Sequence, residues 1–358
     1  MATLRLRDRD AVVTEEGLIF RVFGYTHPRD AYVCDVEYAP ATIFKSDNPK
    51  AFRNNKQNVF CKFYEDEGWR FLEKSFPQYM VFHEMLQKKI IGVNNRHVMR
   101  VRRPDEELEK LMSSEHEDRL LRALQNVLKL SLRHSGLSTG DFGVFGSMLH
   151  GFHHPDFSDI DLVVYGKNKV AKLCQTLQEL YEDSSSSLRN EFETSASIRG
   201  KRWRFRNLSP QEYVWHQRRK MIYALFNDTK SGRIIKTEFE PVKNWEEISN
   251  EYDSGMRVLP RGWVRLIARV IDADEAPFIP SVYGVEPLEV LHGAREAVEV
   301  KRIVSYVEEF RMQVRKGENV CVEGNLEEVA TSNGSFYQIA LTYCPRYYEQ
   351  VLKSRSIK

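Results

Sequence analysis

The chain has 358 residues, of which 42% are apolar and 29% charged. This is the composition of a folded globular protein of two or three domains, and it excludes disordered, collagen-like and membrane-spanning classes. With 53 basic and 51 acidic residues the net charge is only +2, so bulk charge points to no polyanionic partner and only local patches can.

The longest apolar runs, such as Leu162-Val163-Val164-Tyr165, are far short of the ~20 residues of a transmembrane helix. The opening MATLRLRDRDAVV has no apolar core of the kind a secretory leader needs. The five cysteines (Cys34, Cys61, Cys174, Cys321 and Cys344) are odd in number and form no C-x-x-C pair. They predict neither a disulfide framework nor a zinc knuckle, and suit a reducing, cytoplasmic setting with no membrane partner.

Residues 1–104 read as a β-rich domain. Ala11-Val12-Val13 and Leu18 to Phe23 flank Thr14-Glu15-Glu16-Gly17, a hairpin turn ending in glycine. Further strands are predicted over Ala31 to Tyr38 and Val59 to Tyr64, separated by the polar stretch Lys45 to Gln57. Pro104 opens a helical region, with Asp105, Glu106 and Glu107 in the first turn where they suit the helix dipole. A break is expected near Ser113-Ser114. Leucines then recur at helical spacing from Leu120 to Leu130, and Gly136 supplies a stop.

Residues 105–255 alternate between helix and strand. Short strands are predicted at Phe142 to Phe145 and Ile160 to Val164, followed by a helix from Asn168 to Glu182. Ser209 to Arg219 reads as a helix with Pro210 in its first turn. Met221 to Phe226 and Arg233 to Pro241 read as a strand pair. From 256 to 358 the pattern returns to β. Candidate strands at Trp263 to Asp272, Arg302 to Val307, Phe310 to Val314, Asn319 to Leu326 and Ser335 to Thr342 suggest a small barrel of the oligonucleotide-binding type.

The chemistry concentrates in Phe145-Gly146-Ser147-Met148-Leu149-His150-Gly151-Phe152 and Phe157-Ser158-Asp159-Ile160-Asp161-Leu162. Gly146 and Ser147 join a strand to a helix start, where small residues and free amides admit a phosphate. In Asp159-x-Asp161, strand alternation puts both carboxylates on one face. Two adjacent carboxylates repel and call for a hard cation such as Mg²⁺ or Mn²⁺, which also bridges substrate phosphates. His150, His153 and His154 crowd the same loop, either as a polar surround or as metal ligands.

Gly146, Ser147, Gly151, Ser158, Asp159, Ile160, Asp161 and Leu162 match, one by one, the G-S-x-x-x-G…S-D-I-D-L signature that this stretch resembles, that of the DNA polymerase beta superfamily of nucleotidyltransferases. Two departures stand out: His150 occupies a position where arginine is common, and the interval to the acids is about one residue longer. More loosely, Gly17 to Tyr25 and Tyr32 to Pro40 are similar to a group of archaeal predicted nucleotidyltransferases.

The resemblance implies an α+β protein whose central mixed sheet is flanked by the two β-rich domains. It also implies a third acid on a later strand. Archaeal CCA-adding relatives carry it three residues before a proline, which here is Glu238 in Lys236-Thr237-Glu238-Phe239-Glu240-Pro241, with Glu240 on the same face as the alternative. The implied reaction is two-metal, in-line transfer of a nucleoside monophosphate from a nucleoside triphosphate, ATP or CTP, to an acceptor hydroxyl. Asp159, Asp161 and Glu238 would hold the metals, Glu238 would help take the proton, and Gly146, Ser147 and Ser158 would hold phosphate.

The acceptor is read as nucleic acid, RNA above all, because residues 201–220 carry seven basic residues and one acid, interleaved with aromatics at Lys201-Arg202-Trp203-Arg204-Phe205-Arg206. An exposed edge strand kept soluble by charge explains that stretch equally well. Arg218, Arg219 and Lys220 precede the third-acid hairpin and also suit a triphosphate. A protein or small-molecule acceptor, or a non-catalytic nucleic-acid-binding module, are the alternatives.

Overall fold

The computed structural model describes residues 4–55, 58–114, 118–343 and 346–356; Cys344 and Lys56 lie outside the described residues. Among the described residues the protein is α+β, with three sheets of eight, five and six strands and few helices. By contact the chain divides into two compact units. One takes in the chain up to His83, Lys88–Thr176 and Phe226–Tyr252; the other takes in Glu84–Gln87, Leu177–Leu225 and the chain from Asp253 on.

The N-terminal sheet comprises β1 (Ala11–Val13), β2 (Ile19–Val22), β3 (Ala31–Pro40), β4 (Phe52–Asn55), β5 (Asn58–Lys62), β6 (Met80–His83), β7 (Lys88–Asn94) and β8 (Arg100–Arg102). The expected β1–β2 hairpin forms, with Val12 opposite Phe20. Helix α1 (Glu67–Ser75) and the β6–β7 hairpin give no clear signal in the sequence, because their apolar residues follow neither period for long. Inside this sheet Val12, Leu18, Phe20, Val22, Leu72 and Tyr79 form a buried core.

Helix α2 (Pro104–Met112) and helix α3 (Arg119–Ser135) are separated where Ser113-Ser114 predicts a break. Asp118 caps α3 by accepting from the Leu121 amide at 2.8 Å, and Gly136 closes it with a left-handed φ of 63°. The central segment then runs β9 (Phe142–Val144), α4 (Gly146–Leu149), β10 (Ile160–Tyr165), α5 (Lys167–Glu182), β11 (Leu188–Asn190), α6 (Pro210–Arg219), β12 (Tyr223–Asp228) and β13 (Arg233–Val242). Strand β10 lies between β9, which it meets antiparallel, and β13, which it meets parallel. Helix α2 passes so close to β9 that a Cβ on Gly143 would stand 2.6 Å from the Pro104 carbonyl carbon, so only glycine fits there.

In the C-terminal segment, β14 (Arg257–Glu275) pairs with β15 (Ser281–His292) on one side and β17 (Asn319–Thr331) on the other. Strand β15 continues to β16 (Val300–Ser305), β16 runs parallel to β18 (Gly334–Leu341), and β18 returns antiparallel to β17, which also holds β19 (Val351–Ser354). The expected strand at Phe310 to Val314 does not form. That stretch is a turn whose backbone is held by Tyr283: the hydroxyl donates to Phe310 O at 2.7 Å and accepts from the Gln313 amide at 3.0 Å. Phe310 and Val314 are apolar because they plug the core, not because they alternate along a strand.

The N-terminal sheet and strands β9, β10 and β13 share one unit. Ala11, Ile19, Tyr38 and Phe60 of that sheet pack with Leu149 and Phe152. Four consecutive charged residues, Arg7, Asp8, Arg9 and Asp10, are all buried. Arg7 lies over the Tyr165 ring at 3.5 Å and pairs with Asp105 at 2.6 Å, while Arg9 donates to Glu240 on β13 at 2.8 Å. Removing one partner of such a pair strands the other charge in a low-dielectric interior. Arg9→Met is therefore expected to cost about 3 kcal/mol of stability, and adding Glu240→Gln to recover part of it, measured by urea unfolding.

Candidate active site

Strand β9 ends at Val144, and the Phe145 amide donates to Asp161 O at 3.0 Å, tying the turn to β10. Gly146 adopts φ +60° and starts the single turn of α4. A side chain there is doubly excluded: the conformation is left-handed, and a Cβ would stand 2.5 Å from Asp161 Oδ2. The Gly-Ser turn is thus packed directly on a carboxylate of the Asp-x-Asp pair. Ser147 is half-buried, and its carbonyl accepts from the Phe152 amide at 2.8 Å.

Asp159 is exposed just before β10, and Asp161 is half-buried at its second position, on the same strand face. The parallel register sets Asp161 beside Glu238 and Val163 beside Glu240. Glu238 is therefore level with the aspartates. Glu240 lies one step further along, buried and held by Arg9. The register thus puts Glu238, and not Glu240, beside Asp161. Among the described residues, no three or more His, Cys, Asp or Glu side chains are grouped as a metal ion would hold them.

The electrostatics mark the same spot. Burial pushes the Asp161 carboxyl up to about 7, the Asp159 and Glu240 charges push the same way, and Lys236 and Lys62 oppose them. Asp159 is raised too, by burial, against Lys236 and Arg233. Sequence reasoning passes over Lys236 and Arg233. Lys236 shares its strand face with Glu238, a placement that alternation along Lys236-Thr237-Glu238 could have indicated.

Arg233 braces the loop before the acids, donating to Pro155 O at 2.5 Å and Ser158 O at 3.3 Å. Within that loop the Ser158 hydroxyl accepts from the His154 amide at 2.9 Å, and the Phe157 ring lies 4.6 Å from His154 with most of its surface in solvent. His153 meets the Asp118 cap at 3.1 Å. His150, where the signature commonly has arginine, is buried against Tyr38 and Phe152, 3.7 Å from Glu37, and burial lowers its pKa. The three histidines have separate partners, as a polar surround would.

Arg218, Arg219 and Lys220 belong to the other unit. Arg218 is exposed, Arg219 pairs with Glu318 and lies over Trp215, and Lys220 is buried with its Nζ donating to Glu309 O at 2.7 Å. Residues 201–206 form no strand. Their alternation is realised as an irregular segment in which Trp203 and Phe205 pack against Tyr213, while Arg202, Arg204 and Arg206 face solvent. Arg204 lies over the Tyr348 ring at 4.2 Å, Arg206 pairs with Glu349 at 3.2 Å, and the rings are mostly committed to packing.

The raised Asp161 pKa has a definite sign in stability. The unfolded chain ionises this carboxyl near pH 4, whereas the folded chain keeps its proton until about pH 7. Folding takes up a proton between those values, so stability falls as pH rises through that window. Asp161→Asn removes the effect. In chelator, its stability advantage over the unsubstituted chain is expected to grow by about 1–2 kcal/mol between pH 5 and pH 8, after allowance for solvent screening, as read from urea midpoints at both pH values.

Comparison with known proteins adds a family to this geometry. Residues 126–244 match the family model of the nucleotidyltransferase domain. Over 339 residues the chain is 27% identical to an uncharacterized protein of Methanocaldococcus jannaschii, covering 94% of each. No solved structure matches. The matched residues take in the Gly146-Ser147 turn, the Asp159/Asp161 pair and β13 together, so this part of the chain is similar to a nucleotidyltransferase domain, the domain of an enzyme of nucleotidyl transfer.

Proposed function

We propose that this enzyme moves a nucleoside monophosphate from a nucleoside triphosphate to an acceptor hydroxyl, most naturally at the end of an RNA. The observation that carries the reading is the register of β10 and β13, which sets Glu238 beside Asp161 on the face that also bears Asp159. Asp159, Asp161 and Glu238 would hold Mg²⁺ or Mn²⁺. The donor set suits such an ion: it offers only hard oxygens, and a half-buried carboxylate whose ionisation is opposed by its neighbours gains from a cation. When bound, the ions supply charge neutralisation at the phosphates and a lowered pKa for the acceptor hydroxyl.

The rest falls to the chain's own groups. Gly146 lets the backbone turn beside Asp161 without a side chain in the way, and Ser147 stands at that turn for phosphate. Ser158 fixes the loop that presents Asp159. Glu238 receives the acceptor proton as the hydroxyl oxygen bonds to the α-phosphorus, the α–β phosphoanhydride bond breaks and pyrophosphate departs. ATP or CTP is the donor that the sequence resemblance favours.

Three segments would divide the work: residues 1–104, 105–255 with the site, and 256–358. For the last, the pairing circuit β14-β15-β16-β18-β17-β14 with one parallel pair supports a closed five-stranded barrel of the oligonucleotide-binding type. Exposed Arg202 and Arg218 add cationic surface suited to a phosphate backbone. Among the described residues Cys34, Cys61, Cys174 and Cys321 are in no disulfide, in keeping with a cytoplasmic setting.

Purified protein with Mg²⁺ or Mn²⁺, each α-labelled ribonucleoside triphosphate, and RNA, DNA or protein acceptors tests the reading. Label should enter RNA. Asp159→Ala and Asp161→Ala should each lower the rate by about 100-fold or more, and Glu238→Gln should impair turnover more than Glu240→Gln. Label on protein or a small molecule, with none on nucleic acid, would replace the RNA acceptor. Absence of any labelled product would overturn the reaction.

A further inference from the structure

We infer that the N-terminal sheet contributes a substrate-binding side chain to this active site: Lys62, at the end of β5, is placed to hold the polyphosphate of the bound nucleotide. The inference rests on the nucleotidyl-transfer reading and extends it to a residue outside the family match, which begins at residue 126.

The placement follows from strand geometry. In the antiparallel β3–β5 pair, Tyr38 lies opposite Lys62 and Pro40 opposite Phe60. Residues directly opposite one another on antiparallel strands send their side chains to one face, and so do residues two apart on a strand. Tyr38, Phe60 and Lys62 therefore share a face. The Tyr38 ring meets His150 at 5.3 Å and Phe152 at 5.2 Å, and Phe60 meets Phe152 at 5.0 Å. Phe152 is itself tied to Ser147 by its amide. The face that carries Lys62 is thus seated on the segment that leaves the Gly146-Ser147 turn.

Electrostatics agree with this placement. Lys62 is among the charges that act on Asp161, and Asp161 acts in turn on the Tyr38 phenol. Lys62 is half-exposed, and among the described residues its ammonium has no hydrogen-bond or ion-pair partner. A lysine beside a carboxylate cluster, near enough to be felt but not paired, suits a compact point charge for phosphate. Several other cationic or ionisable groups are committed. Arg233 braces the 155–158 loop, His150 is buried, Arg219 is paired with Glu318, and Lys220 is held by Glu309 O. Helix α4 is one turn long and contributes no dipole of consequence.

The test compares the unsubstituted chain with Lys62→Met, Lys62→Gln and Lys62→Arg, each checked for an unchanged thermal midpoint. Binding is measured by calorimetry with each of the four ribonucleoside triphosphates and with inorganic tripolyphosphate, in Mg²⁺. Lys62→Met and Lys62→Gln should weaken the preferred nucleotide and tripolyphosphate alike by about tenfold or more, and Lys62→Arg should restore most of the loss. In transfer assays KM for the nucleotide should rise in the same proportion, with kcat changed much less. If the unsubstituted chain binds nucleotide and Lys62→Gln binds it equally well, this inference is wrong and the proposed reaction stands. If the unsubstituted chain binds no triphosphate and transfers no label, both fall together.

Discussion

Half-burying Asp161 beside Asp159 and within the field of Glu240 costs free energy that something must offset. The chain accepts that cost at one place, the face shared by β10 and β13, and much of the surrounding structure can be understood as the means of tolerating it. Parallel pairing fixes which residue of β13 stands beside each residue of β10, so the acids cannot drift apart without breaking the sheet. Gly146 leaves no room between the preceding turn and the Asp161 carboxylate. The acids are held close by backbone geometry rather than by attraction.

Opposing charge comes from separate parts of the sequence. Lys236 is on the acid-bearing strand itself, Arg233 begins that strand, Lys62 comes from β5, and Arg9 from a buried run at the N-terminal end of the unit. Arg9 engages Glu240, while the register sets Glu238 beside Asp161. The N-terminal sheet is therefore part of the apparatus in a physical sense. Its side chains Tyr38 and Phe60 pack with Leu149 and Phe152 after Ser147, and its Lys62 is one of the charges acting on Asp161, after burial, Asp159, Lys236 and Glu240.

The sequence discloses the local features of this arrangement and conceals the distant ones. The turn, the Asp159/Asp161 pair and the capped helices α3 and α6 are legible because each depends on residues a few positions apart. Glu238 is suggested only through likeness to relatives, since nothing local distinguishes it from Glu240; what differs between the two in the fold includes Arg9, which holds Glu240 from 231 residues away in sequence. Lys62 is invisible for the same reason. Where apolar spacing imitates a strand but serves as a core plug, as at Phe310 to Val314, pattern reading goes astray. At 201–206 the alternation of inward rings and outward charges is genuine, yet no ladder of hydrogen bonds accompanies it.

The single turn of α4 bears on how the enzyme would respond to its surroundings. A long helix presents a phosphate with backbone amides whose positions salt hardly disturbs, whereas one turn leaves the polyanion to lysine and arginine groups that stand partly in solvent. Attraction of that kind fades as ionic strength rises, with a screening distance of ~10 Å at 0.1 M. Grip on the nucleotide would then vary with the ionic content of the medium, so the electrolyte level at which the protein works becomes part of its substrate affinity.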